Sequence, residues 1–111
     1  MPIEFGNVVL VPFPFTDQST TKRRPAVVVS GRGYNAARPD LILMAITSQL
    51  RPSTGFGDLW LRDWRSSGLL KESAVKPIFA TVEQRLIIRS RGVLSADDLE
   101  GLRRVIAHIF V

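Results

Sequence analysis

The stretch Thr20–Ser30, TTKRRPAVVVS, contains the sharpest change of character along the chain. Three consecutive basic residues, Lys22, Arg23 and Arg24, lead through Pro25 into an apolar run rich in valine. β-Branched residues are enriched in strands, and the residue before a proline is biased to an extended backbone. The stretch therefore predicts a buried strand that holds a concentrated positive charge at its beginning.

Further strands are predicted on both sides of it. Asn7–Phe15 (NVVLVPFPF) is β-branched, but its two prolines cannot donate to a ladder. We therefore expect the part beyond Val11 to leave the sheet or to run along an edge. Leu41–Gln49 (LILMAITSQ) is apolar at both odd and even positions up to Thr47, which indicates a strand buried on both faces. Between the strands, Gly31–Asp40 (GRGYNAARPD) is expected to be a glycine-punctuated loop.

The second half of the chain predicts weaker strands and one clear helix. LWLRDW (59–64) predicts a half-exposed strand, and the strand-like segments after it are broken by Pro77 and by a turn near Glu83. Ser95 is an N-cap candidate, followed by acids and then by apolar residues at helical spacing. Several short strands closed by one amphipathic helix predict a mainly β fold, a small twisted barrel, in a single domain over residues 1–111.

Composition narrows the class of protein. The formal net charge is +5, and arginines outnumber lysines 12 to 3. This bias suits nucleic-acid binding, although a coding sequence that favours arginine explains it equally well. With no cysteine and a single histidine, His108, we expect no metal and no cofactor. The absence of a signal peptide and of a membrane-length apolar run predicts a cytoplasmic protein with no membrane partner.

Arg24 and the strand end ITSQ (46–49) are the residues best placed for chemistry. Arg24 is restrained by Pro25, and Thr47 and Ser48 stand where a buried strand becomes polar. An arginine and a hydroxyl suit the charge that develops when an RNA 2′-hydroxyl attacks its own phosphate. The structural alternative is that Arg24 pairs with an acid and that Thr47 is an ordinary strand residue.

Other candidate groups have structural explanations. The glycine-rich pieces lack the lysine and the helix of a phosphate loop. Asp97 and Asp98 fit the dipole and capping chemistry of a first helical turn, and His108 is expected to lie away from the loops. Trp60 and Trp64 either stack bases or serve as core or interface aromatics, and the sequence leaves both interpretations open.

Four motifs in order resemble the MazF/PemK family of toxin endoribonucleases. They are GNVVLV (6–11), RRPAVVV (23–29), ITSQ (46–49) and TVEQRL (81–86) with GVL (92–94). The match covers nearly the whole chain. It implies an SH3-like barrel with added helices and a C-terminal amphipathic helix, usually assembled as a homodimer. It also implies metal-independent, sequence-selective cleavage of single-stranded RNA, restrained by a cognate antitoxin.

The resemblance places the family's key arginine on Arg24 and its key hydroxyl on Thr47. Further residues are expected to contact RNA: Lys22, Arg23, Ser48, Gln49, Asp17 and Ser19. The chain departs from the family at two positions, because Asn7 replaces the acid of the opening motif and Ser19 aligns with a frequent glutamate. The role of that glutamate is then either vacant or taken by Asp17.

Two other functions stay open. A toxin of the same fold that binds a protein target such as DNA gyrase would need neither Arg24 nor Thr47 and would act through its C-terminal helix. A degenerate member of the family would bind RNA or an antitoxin without cutting.

Overall fold

The computed structural model describes residues 3–13, 22–50 and 55–110. The strands in these ranges form one antiparallel sheet in the order β4-β5-β3-β2-β1-β6. The elements are β1 (Asn7–Phe13), β2 (Lys22–Val28), α1 (Arg32–Ala37), β3 (Asp40–Thr47), β4 (Leu59–Trp60), β5 (Ala74–Glu83), β6 (Arg89–Val93) and α2 (Ala96–Phe110). A 3₁₀ turn, Gln84–Leu86, joins β5 to β6.

Each face of the sheet carries its own apolar cluster, because successive side chains of a strand point to opposite faces. One cluster contains Val27 and Met44 and packs against Leu102 of α2. The other contains Val28 and Leu43, and its buried members in the described ranges all come from strands. The sheet buries that second face by curling on itself, as a half-barrel does. The prediction of a mainly β, barrel-like fold with a C-terminal amphipathic helix is confirmed.

Pro12 of β1 acts as the sequence predicts, whereas Pro14 lies outside the described residues. β2 pairs with β1 as far as Phe13, whereas β6 pairs with it only from Asn7 to Leu10. Beyond Leu10, β1 therefore has β2 as its one neighbour within the described sheet. Pro12 lies in this edge-like part, where a strand tolerates a missing N–H group.

The prediction of a loop over Gly31–Asp40 is wrong for Arg32–Ala37, which forms α1, and for Asp40, which begins β3. Tertiary hydrogen bonds outweigh the glycine signal there. Asn35 is buried, and its amide donates to the carbonyl oxygens of Ile3 (2.9 Å) and Ser30 (3.1 Å). The Ser30 hydroxyl donates in turn to Asn35 Oδ1 (2.5 Å). These partners lie outside the segment, so local sequence does not reveal them.

Two strand boundaries also differ from expectation. In LWLRDW only Leu59 and Trp60 pair in the sheet, with Val75 and Ala74 of β5, before the chain turns away. β5 runs unbroken through Pro77. The register between β3 and β5 shifts near this point, and such an irregularity accommodates a residue that cannot donate. The predicted break near Glu83 is confirmed.

The start of α2 matches its predicted cap and adds a contact. The backbone N–H of Asp98 donates to Ser95 Oγ (3.2 Å). The Asp98 carboxylate is buried and accepts the backbone N–H groups of Arg62 (3.0 Å) and Asp63 (2.9 Å). Asp98 therefore fastens the segment after β4 to the helix and is a structural carboxylate.

Candidate functional site

Arg24 and Thr47 lie at the ends of neighbouring strands. β2 and β3 pair through Ala26 and Ala45, and each of the two functional candidates stands two residues beyond that pair. Residues opposite each other in an antiparallel pair point to the same face. The strand register therefore brings together an arginine and a hydroxyl that are 23 positions apart in sequence.

Two cavities adjoin these strand ends, and both are lined by Arg24, Ile46 and Thr47. The first, here called the loop-side cavity, has a volume of about 220 Å³. Its other lining residues are Pro25, Ser48, Gly68, Leu69, Leu70, Lys71, Ser73 and Arg91. The second, the sheet-side cavity, has a volume of about 260 Å³ and is also lined by Ala45, Gln49, Lys76 and Ile78. Arg24 and Thr47 stand where the two meet.

The Thr47 hydroxyl is oriented by its own chain. Its oxygen accepts the backbone N–H of Gln49 at 3.1 Å. An oxygen fixed by an incoming hydrogen bond still has its own hydrogen to donate. Thr47 is half-buried at the border of both cavities, so that hydrogen can be directed to a bound oxyanion.

Arg24 is held more firmly than a loop arginine. In the sheet Arg24 lies opposite Val11 of the neighbouring strand β1, and Pro25 follows it in sequence. The side chain is half-buried, and its Nε atom is fully enclosed. Arginine keeps its charge in proteins and offers a planar set of donors. The site therefore combines a restrained cation with a neighbouring hydroxyl, a pair suited to a phosphate.

The remaining predicted residues divide between the site and its surroundings. Ser48 lines the loop-side cavity and Gln49 the sheet-side cavity. Lys22 and Arg23 are exposed at the beginning of β2 and line neither cavity. Asp17 and Ser19 lie outside the described residues, and their proposed RNA contacts stay predictions.

Sequence reasoning missed three cations that join the site. Lys71 and Arg91 line the loop-side cavity, and Lys76 lines the sheet-side cavity. Lys76 Nζ lies 2.7 Å from the largely buried carboxylate of Asp58, which balances its charge. The charge pattern along the chain points to the neighbours of Arg24, whereas these cations belong to β5, β6 and the segment between β4 and β5. Strand alternation gives no signal for Arg91, because the register between β1 and β6 shifts between Ser90 and Gly92, and Arg89 lines neither cavity.

Other candidates lie apart from the cavities. Asn7 Oδ1 accepts the backbone N–H of Glu4 (2.9 Å), which an aspartate would also do, so this departure from the family pattern retains a local contact. His108 is exposed near the end of α2 and lines neither cavity. Trp64 packs against the core with the Arg65 guanidinium 4.7 Å from its ring centre, whereas Trp60 is 41% exposed.

Two further properties concern the described part of the chain. Within it, no three His, Cys, Asp or Glu side chains are grouped closely enough to hold a metal ion. Neither of its α-helices has the length and apolar character that crossing a membrane requires.

Residues 4–110 match the family model described as PemK-like, MazF-like toxin of type II toxin-antitoxin system. No curated protein sequence matches the chain.

Solved structures resemble the fold at low sequence identity. An endoribonuclease in complex with its cognate antitoxin, from a Mycobacterial species, superposes with a TM-score of 0.77 at 14% identity, covering 96% of this chain and 92% of that one. MazE-MazF from Deinococcus radiodurans gives 0.70 at 18% identity over 98% and 95% of the two chains. The Mycobacterium tuberculosis toxin MazF-mt6 gives 0.74 at 18% identity over 94% and 95%. These likenesses establish a shared fold.

Proposed function

The chain belongs to the family of PemK-like, MazF-like toxins of type II toxin-antitoxin systems. From this premise we propose that it cleaves single-stranded RNA, with sequence selectivity and without a metal ion. The observation that carries the proposal is the juxtaposition of Arg24 and Thr47 at the border of two cavities. RNA contains its own nucleophile, so the protein has to supply position and charge stabilisation.

The proposed reaction is an internal transesterification. The 2′-oxygen forms a bond to the adjacent phosphorus while the bond from phosphorus to the 5′-oxygen breaks. The 2′-hydroxyl loses its proton, and the departing 5′-oxygen gains one. The products are a 2′,3′-cyclic phosphate and a 5′-hydroxyl, and no oxidant, reductant or co-reactant is consumed.

Arg24 and Thr47 act on the oxygens of the phosphate. Negative charge accumulates there in the transition state, and preorganised donors stabilise it without having to reorganise. The Arg24 guanidinium supplies charge-assisted hydrogen bonds, and the Thr47 hydroxyl supplies a neutral one. Arg24 stays protonated, so it is not the base that receives the proton of the 2′-hydroxyl.

Exposed basic residues guide the substrate in this scheme. Lys22 and Arg23 attract the phosphate backbone, and Ser48 and Gln49 contact nucleotides in the two cavities. A net charge of +5 favours fast, salt-sensitive encounter with RNA. The proposed reaction takes place in the cytoplasm, where messenger RNA is available.

The proposal includes a symmetric homodimer and a cognate antitoxin. Large apolar side chains are strongly exposed on the chain, with Phe56 at 82%, Leu70 at 80% and Phe110 at 66%. These side chains are the candidates for burial in the proposed dimer or under the antitoxin. An acidic antitoxin segment that covers Trp60 and the adjoining cavities would exclude RNA from Arg24 directly. Light scattering at micromolar concentration tests the dimer, and a monomer there would remove this part of the proposal.

The deciding experiment incubates the purified protein with a long single-stranded RNA in EDTA and maps the ends of the fragments. We expect discrete cuts that leave cyclic phosphate and 5′-hydroxyl ends. Methylation of the 2′-oxygen at a mapped cut should abolish cleavage there, and DNA of the same sequence should stay intact. Cleavage of the methylated RNA would overturn the mechanism. Intact RNA together with inhibited DNA gyrase would favour the protein-binding toxin instead.

A further inference from the structure

The loop-side cavity has features that the cleavage chemistry alone does not use. We propose that it is a base-reading subsite for a nucleotide next to the cut phosphate. Arg91 selects a base with a keto group, guanine or uracil, at that nucleotide. The inference rests on the proposed RNA substrate and adds a specificity-determining residue to it. It follows from the lining, the charge and the rigidity of the cavity.

The apolar part of the lining suits the face of a base. Pro25, Leu69 and Leu70 contribute to the wall, and Leu70 is 80% exposed at the cavity. A phosphate gains nothing from aliphatic walls, whereas the flat face of an unstacked base packs on apolar side chains. The volume of about 220 Å³ is below the roughly 300–1,000 Å³ of drug-sized sites, which favours one base over several.

The polar part of the lining determines which bases fit. Arg91 is half-buried and Lys71 is exposed, and both side chains are donors without acceptors. Guanine presents O6 and N7 as acceptors and uracil presents O4, whereas adenine and cytosine present an amino donor at the corresponding position. When the exocyclic group of the base is turned towards Arg91, the keto oxygen of guanine or uracil accepts its hydrogen bonds, whereas the amino group of adenine or cytosine does not.

The backbone at Arg91 is packed closely against the segment that forms another wall of the cavity. A Cβ atom at Gly68, whose φ is +86°, would collide with the backbone carbonyl of Arg91. A Cβ atom at Gly92 would lie 2.8 Å from the carbonyl oxygen of Ser67. β6 and the segment that leads into Leu69 are thus in direct backbone contact. The backbone that carries Arg91 therefore does not have to reorganise when a base binds.

The sheet-side cavity is less suited to the same task. Lys76, its cation besides Arg24 among the described residues, is paired with Asp58 at 2.7 Å. Arg91 forms no ion pair with another described residue. The unbalanced donor therefore lies in the loop-side cavity.

The test measures binding separately from cleavage. Fluorescence anisotropy compares the affinity of the full chain for ten-nucleotide oligo(deoxyuridine) and oligo(deoxycytidine), which lack the 2′-hydroxyl and cannot be cut by the proposed route. We expect the uracil oligomer to bind about ten-fold more tightly, within the range for one well-placed base contact. In Arg91→Met the ratio should fall to about one. Arg91→Lys, which keeps the charge but loses the fork, should give an intermediate ratio.

Arg89→Met is the matched control. It removes the same charge two residues away on β6, from an exposed side chain that lines neither cavity. It should weaken both oligomers equally and leave their ratio unchanged, with melting temperatures confirming that each variant is folded. A ratio near one in the unmodified chain, or an unchanged ratio in Arg91→Met, would overturn the proposal.

Cut-site mapping supplies a second readout that separates the two proposals. Enrichment of guanine and uracil at one position next to the cut supports the subsite, and its loss in Arg91→Met assigns it to that residue. Cleavage without any preference for a keto base would contradict the subsite proposal but not the proposed function. A uracil preference in binding without any cleavage of RNA defeats the proposed function and leaves the subsite.

Discussion

Asp98 and Thr47 are polar residues beside the apolar clusters of the fold, and they differ in how many of their hydrogen bonds stay within the chain. Asp98 is 2% exposed, and both its carboxylate oxygens accept backbone N–H groups of its own chain. Thr47 accepts one backbone N–H and borders two cavities. A polar group with all its partners inside the fold holds the fold together. One that faces a cavity beside an arginine is available to a ligand.

The largest expected effect is a loss of cleavage rate when Arg24 is replaced. Arg24→Ala should lower the rate of RNA cleavage about 10²- to 10³-fold, the usual loss for one transition-state donor, since the charge on the phosphate is no longer stabilised. Single-turnover assays on a mapped substrate measure this. The variant should still unfold in one cooperative transition, which shows that the loss of rate does not come from loss of the fold.

Arg104→Ala is the control for that variant. Arg104 is an exposed arginine on α2 whose guanidinium lies 3.7 Å from Glu100, and it lines neither of the site's cavities. An equal loss of activity in Arg104→Ala would show that the site is misplaced, or that overall charge governs cleavage.

The second effect is on stability at Asp98. Asp98→Ala leaves the buried N–H groups of Arg62 and Asp63 without their acceptor and should lower the free energy of unfolding by about 2–4 kcal/mol. Denaturant titration measures it. Asp97→Ala, at the exposed neighbouring position, should cost less than about 1 kcal/mol. Similar losses in both variants would contradict the anchoring role of Asp98.

A smaller effect is expected at Thr47. Thr47→Val keeps the shape and removes the hydroxyl, so it should slow cleavage about ten-fold, which corresponds to one neutral hydrogen bond. The unfolding free energy should stay within about 1 kcal/mol, because Thr47 holds only the N–H of Gln49. Unchanged kinetics would mean that the hydroxyl does not reach the phosphate.

The smallest effect concerns Asp40, which has partners but does not border the site. The hydrogen bond from Arg38 (3.1 Å), reinforced by the Tyr34 hydroxyl (3.0 Å), holds the pKa of Asp40 below its usual value. Because the folded-state pKa is lowered, this stabilisation is present above the unfolded pKa, about 3.9, and is lost as the pH falls through the folded one.

Asp40→Asn tests that pH dependence. The variant should be slightly less stable than the unmodified chain at pH 7, with the difference disappearing near pH 2. Thermal unfolding at several pH values measures it. Adding Arg38→Met to the variant should cost little more, and a large further loss would show that Arg38 has another role.

Much of the fold was predictable from local patterns. The valine run after Pro25 predicts β2, and Ser95 followed by two acids predicts the start of α2. The signal fails where partners are distant in sequence. Asn35 of α1 donates to the carbonyl oxygen of Ile3, 32 positions away, and β5 passes Pro77 where its register with β3 shifts.

At the site, the sequence by itself determined the two residues on which the proposed function depends. Pro25 restrains Arg24, and Thr47 stands where an apolar strand becomes polar, and both signals are local. Only the tertiary structure decided that Lys71 and Arg91 belong with them. Arg91 reaches the loop-side cavity because β1 lies between β2 and β6 in the sheet and because two glycines allow backbone contact with the segment before Leu69. Adjacency of this kind depends on strand order and close packing, which involve residues far apart along the chain.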